Sequence, residues 1–76
     1  MYWISNDSKI YGSSKQVPFY CDSSADIANL PTSQNAGVQQ GEDNVSCLPC
    51  AKGSSCFCIG DSTLYILNSS DVWVEV

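Results

Sequence analysis

The chain has 76 residues, 43% of them hydrophobic and only 14% charged, with a net charge of −5 from eight acids against Lys9, Lys15 and Lys52. That charged share is low beside the roughly 25% of average soluble domains, so Ser, Asn, Thr and Gln must do the solvating. Three scattered lysines form no basic patch to release counterions from phosphates, which argues against nucleic acid as a partner, and no apolar run approaches the ~18 residues of a membrane span. A basic n-region and apolar h-region are not found at the N-terminus, so the expectation is a protein acting where it is made.

A chain this short makes one domain, residues 1–76, and buries only about 60% of its unfolded surface, so a disulfide, a metal or a partner surface is expected to support it. In chain order, Tyr2-Trp3-Ile4, the polar Ser5-Asn6-Asp7-Ser8 and then Lys9-Ile10-Tyr11 predict a short hairpin. Residues 16–22 alternate, with Val17, Phe19 and Cys21 on one face and Pro18 and Tyr20 on the other, as in a half-buried strand. Pro18 has no N–H for a ladder, so the strand lies at an edge or begins there.

Ser23 as N-cap and Asp26 three residues later predict a helix of about six to eight residues. Ile27 and Leu30 share its inner side and Pro31 ends it. Residues 32–44 are almost all polar, with only Ala36 and Val38 apolar, and predict a long exposed loop whose Glu42-Asp43 pair is a candidate for a cation or a basic partner surface. Cys56 to Ile59, Thr63 to Leu67 and Val72 to Val76 read as three strands separated by Gly, Asp, Asn and Ser. The fold class is therefore mostly β: a small antiparallel sheet module, sandwich- or barrel-like, with one short helix.

The five cysteines at 21, 47, 50, 56 and 58 admit several readings. Cys47, Cys50, Cys56 and Cys58 supply four thiolates, enough for tetrahedral zinc, but CxC on a strand is a poor match to the paired CxxC knuckles of structural zinc sites. Redox cycling by Cys47 and Cys50 needs that motif to open a helix, and Ala51-Lys52-Gly53 reads as a turn. A disulfide within Cys47/Cys50, or from Cys21 to another thiol, is open and leaves one cysteine over. Otherwise Cys21, Cys56 and Cys58 are small core residues, the commonest role of a thiol on a strand. The composition calls for no cofactor. With no histidine and no nucleophile beside a base, it favours a non-enzyme.

Alternating aromatics on short strands usually form core, with Tyr65 and Trp73 expected as neighbours across the last hairpin. Trp3, Tyr20, Tyr65 and Trp73, where exposed, join Glu42 and Asp43 as candidate partner contacts.

One resemblance bears on function. Residues 19–32 (Phe19-Tyr20-Cys21-Asp22 through Leu30-Pro31-Thr32), Gln39-Gln40-Gly41, Ala51-Lys52-Gly53-Ser54 and 64–74 (Leu64-Tyr65-Ile66-Leu67-Asn68 through Trp73-Val74) resemble small tailed-bacteriophage virion proteins of the head-decoration or head-fibre type. The resemblance implies a β-rich module in many copies, capable of forming homo-oligomers and bound to the major capsid protein or other virion proteins. It would be made in the host cytoplasm and located on the capsid surface. It also implies small apolar residues at the positions of Cys50, Cys56 and Cys58, hence a core role for those thiols. The same pattern occurs joined to longer fibre or tail proteins, so collar, tail and surface-adhesion roles (glycan or receptor binding) stand as alternatives.

Overall fold

The structure, a computed structural model, describes residues 1–4, 15–40 and 46–76. Five strands form one sheet: β1 (Tyr2–Ile4), β2 (Pro18–Cys21), β3 (Ser55–Cys58), β4 (Thr63–Leu67) and β5 (Trp73–Glu75), with a 3-10 helix at Ser24–Asn29. The strands lie side by side in chain order. The mostly-β class with one short helix is what the composition and turn spacing called for, and the last three strands fall where the sequence puts them. The sheet itself is mixed: β1–β2, β3–β4 and β4–β5 are antiparallel, while β2 and β3 are parallel. A parallel pair needs a long crossover, and here residues 22–54 supply it.

Pro18 opens β2, as its missing N–H requires, but the strand is interior, with β1 on one side and β3 on the other. Tyr2–Ile4 pairs with β2, in the register Tyr2↔Cys21 and Ile4↔Phe19. The predicted return strand at Lys9-Ile10-Tyr11 lies outside the described residues. In the last hairpin Trp73 stands opposite Leu67 and Tyr65 opposite Glu75, so Tyr65 and Trp73 share a face without facing one another.

Strand side chains alternate between two faces. Tyr2, Phe19, Cys21, Cys56, Cys58 and Leu67 point inward and are buried, joined by Val17, Leu30 and Cys50, with Ile4, Ile27, Tyr65 and Trp73 packed at the margin. Four members of this core are cysteines, so it is small in volume and the close-packed backbone above it matters.

That cover is the crossover. Ser23 N–H donates to Asp26 Oδ2 at 3.2 Å, the capping contact read from the sequence, and Leu30 N–H donates to the Ile27 carbonyl before Pro31 ends the helix. The helix is the tighter 3-10 form over six residues. Residues 32–40 do carry exposed side chains at Gln34, Asn35, Ala36, Val38 and Gln39, but their backbone is tied down. Val38 N–H donates to the Asn29 carbonyl at 2.8 Å, Gly37 N–H to Cys47 at 2.7 Å, and Cys50 N–H to Thr32 at 3.1 Å. Tyr2 Oη donates to the Val38 carbonyl at 2.8 Å, and Trp73 Nε1 donates to Pro31 at 2.9 Å. A Cβ on Gly37 would collide with Tyr2 Oη, the Asn29 carbonyl and Pro31 N, so only glycine lets the loop lie this close to the sheet.

Candidate functional site: the outward face of the sheet

The outward side chains form two rows, each set by strand register. Trp3, Tyr20, Phe57 and Leu64 are consecutive cross-strand partners from β1 to β4, and Val76 extends the row by donating its N–H to the Leu64 carbonyl. The second row is Pro18, Ser55, Ile66 and Val74. Trp3 and Tyr20 stack with ring centroids 6.3 Å apart and planes 25° apart. Phe57, Leu64 and Val74 are each about 40% exposed (38%, 40% and 39%). None of these positions carries a charge. Charged residues flank these rows at strand ends: Asp22 after β2, Asp61 in the β3–β4 turn, Lys15 and Lys52 before β2 and β3, and Glu75 ending β5 on the opposite face. The outward side chains are therefore mostly aromatic and aliphatic, suited to contact by shape and apolar burial.

The contact residues expected from the sequence divide between the two sides. Trp3 and Tyr20 lie together on this outward face. Tyr65 and Trp73 lie on the opposite one: Tyr65 opposite Cys56, and Trp73 edge-on to Phe19 at 6.0 Å and 82° with its N–H bound to Pro31. Glu42 and Asp43 lie outside the described residues. Phe57, Leu64, Ile66 and Val74 were not singled out by sequence reasoning, although a signal for them existed. Once Cys56 and Cys58 are taken as inward, the period of two turns Phe57 outward, and the antiparallel partner Leu64 follows.

The cysteines are thiols, and Cys21, Cys50, Cys56 and Cys58 are fully buried while Cys47 is half-buried. Burial pushes Cys21 up to about 11 and also raises Cys50 and Cys56, so these three thiols hold their protons and are poor nucleophiles. Cys47 and Cys50 do not converge with Cys56 and Cys58: among the described residues no three His, Cys, Asp or Glu side chains are grouped to hold a metal ion. Cys50 Sγ instead lies 3.7 Å from the Pro31 carbonyl and Cys58 Sγ 3.7 Å from Asp61 Oδ2.

Asp26, the one buried carboxylate among the described residues, serves structure. Its Oδ1 lies 2.6 Å from the Met1 amine, which holds the carboxyl below its ordinary range, with the Ser23 N–H adding to the effect. No concave pocket is formed by the described residues, and no helix among them is long and apolar enough to cross a membrane. No family model, curated protein or solved structure matches this chain.

Proposed function

We propose that the chain is a structural protein of a tailed-bacteriophage virion, an auxiliary module that binds the outside of the major capsid lattice in many copies and stiffens or covers it. The virion setting comes from the sequence resemblance at residues 19–32, 39–41, 51–54 and 64–74. The observation that carries a docking role is the Trp3–Tyr20–Phe57–Leu64 row, which register turns away from the core and which, among the described residues, no segment covers, Phe57 and Leu64 being 38% and 40% exposed. Five strands at about 4.8 Å spacing and three to five residues long give a face of roughly 20 by 15 Å. That is well under the ~800 Å² per partner of a stable free-standing complex. Such a patch suits a preformed, rigid seat repeated over a lattice better than a self-sufficient dimer. Docking on that seat stabilises the folded chain by mass action, which a 76-residue module with a cysteine-rich core needs.

Quantitative mass spectrometry of density-purified particles, counting this chain against the most abundant shell protein, tests the reading. Hundreds of copies per particle are expected; a handful moves the chain to a collar or tail, and absence refutes the virion role. Phe57→Thr with Leu64→Thr should deplete the chain from particles while lowering its melting temperature far less than a core substitution, because the two side chains are already about 40% exposed. A surface-adhesion role is the second reading and draws on the stacked Trp3–Tyr20 pair. It predicts quenching of Trp3 fluorescence by host glycans, with particle occupancy unaffected by the double substitution.

A further inference from the structure

We infer that Cys21 and Cys58 form a cross-strand disulfide site, closed by exchange with a low-molecular-weight disulfide such as oxidised glutathione. The two residues are direct partners in the parallel β2–β3 ladder, and both side chains are fully buried on the inner face. Adjacent strands lie about 4.8 Å apart, inside the ~4.4–6.8 Å that a disulfide spans between Cα atoms. The Cys21 thiol is in contact with both Cys58 and Cys56. Register separates these two partners. Cys56 stands opposite Phe19, two residues along, which puts its Cα roughly 8 Å from that of Cys21, beyond bridging reach without backbone movement. Cys56 and Cys58 point the same way along one strand at about 7 Å and are no better placed.

The chemistry balances in two exchanges. One protein thiolate attacks the reagent disulfide, forming a mixed disulfide and releasing one reduced thiol. The second protein thiolate then attacks the protein sulfur of the mixed disulfide, forming the Cys21–Cys58 bond and releasing the other reduced thiol. The two protein electrons reduce the reagent, and the two thiol protons end on the released thiols. Fully buried thiols are out of the reagent's reach in the closed fold, so exchange proceeds through opened or refolding chains and the register then selects the pair.

The bond would close a loop of roughly 37 residues, the whole crossover, where loop-closure entropy makes a disulfide most effective. It would lock the one parallel pairing in the sheet, and it does not depend on what the outer face binds.

The test refolds the reduced chain in mixed reduced and oxidised glutathione and maps disulfides by non-reducing peptide mass spectrometry. The expected product is Cys21–Cys58 in at least roughly tenfold excess over any other pair. Its melting temperature should be higher than that of the reduced form by on the order of 10 °C, a shift that reverses with dithiothreitol. Cys58→Ala should abolish the bond and the shift, and Cys56→Ala should retain both. Dominance of Cys47–Cys50, a refolded chain that stays fully reduced, or a bond that lowers the melting temperature would each overturn the inference. The wild-type map decides the pairing even where a variant fails to fold.

Discussion

Replacing Trp73 with Phe is expected to destabilise the fold by about 2 kcal/mol, whereas the same change at Trp3 costs less than about 1 kcal/mol. The figure for Trp73 has two parts. Its indole N–H donates to the Pro31 carbonyl at 2.9 Å, holding β5 to the end of the 3-10 helix, and a net hydrogen bond is worth about 0.5–1.5 kcal/mol. The larger ring also packs on Phe19 in an edge-to-face contact, and trimming one ring uncovers roughly 30–40 Å² of apolar surface at about 25 cal/mol per Å². Pro31 is fully buried, and among the described residues its carbonyl keeps the weak Cys50 thiol donor at 3.7 Å once the indole is gone. At about 4–8 °C per kcal/mol for a domain of this size, the Trp73 variant should melt roughly 8–16 °C lower, and the Trp3 variant within a few degrees of wild type. Thermal denaturation followed by circular dichroism measures both. Equal shifts, or a larger one at Trp3, would refute the assignment of Trp73 to the covered side and Trp3 to the open side.

Ser54→Ala should cost about 1–3 kcal/mol, because the buried Ser54 Oγ accepts the Val17 N–H at 3.0 Å and donates to the Ala51 carbonyl at 2.7 Å, and alanine leaves the N–H without a partner; chemical denaturation checks it. Gly60→Ala should lower the melting temperature by several degrees, since a Cβ there would overlap the Asp22 carbonyl, and a variant melting like wild type would refute that close approach. At the acid end, the Met1 amine lowers the Asp26 pKa and the Ser33 backbone N–H lowers that of Asp71. Their stabilisation is therefore complete above the unfolded carboxylate value of about 3.9 and lost as pH falls through the lower folded values, and Asp71→Asn should flatten that limb of a melting-temperature profile. At the alkaline end, Cys21 ionises at about 8.5 when unfolded and is pushed by burial to about 11 when folded, so stability should decline as pH rises between those values, and Cys21→Ala should shallow the decline.

Much of the fold was written locally. Cys56, Thr63–Leu67 and Trp73 carry the strand residues and their Gly, Asp and Asn punctuation, and Ser23, Asp26 and Pro31 mark the helix at both ends. The parallel pairing of β2 with β3 was not readable, because nothing in a four-residue strand specifies a partner some 35 residues away. Residues 32–40 were read as exposed from their polarity, correctly for several side chains. What polarity does not encode is the backbone: the donors that pin the segment include Tyr2 Oη and Trp73 Nε1, whose partners are carbonyls of Val38 and Pro31. Of the site, Trp3 and Tyr20 were legible as aromatic contact candidates. Phe57 was hidden by the general expectation that an aromatic on a short strand faces the core, although the neighbouring cysteines already fixed its direction.

The choice of inward face explains why the outer one is aromatic. A one-residue slip of β2 and β3 would bury Tyr20 and Phe57 and expose Cys21, Cys56 and Cys58, trading small side chains for large ones inside. The crossover does not leave room for that. Its backbone lies against the sheet, close enough that a Cβ on Gly37 would collide with Tyr2 Oη, with Cys50 Sγ against the Pro31 carbonyl, and small thiols fill the layer beside Tyr2, Phe19 and Leu67. The larger rings of Phe19 and Trp73 meet edge-on within the same layer. With the covered layer filled this way, Trp3, Tyr20, Phe57 and Leu64 are left on the outward face among the described residues. That apolar surface is the one the proposed docking would remove from water.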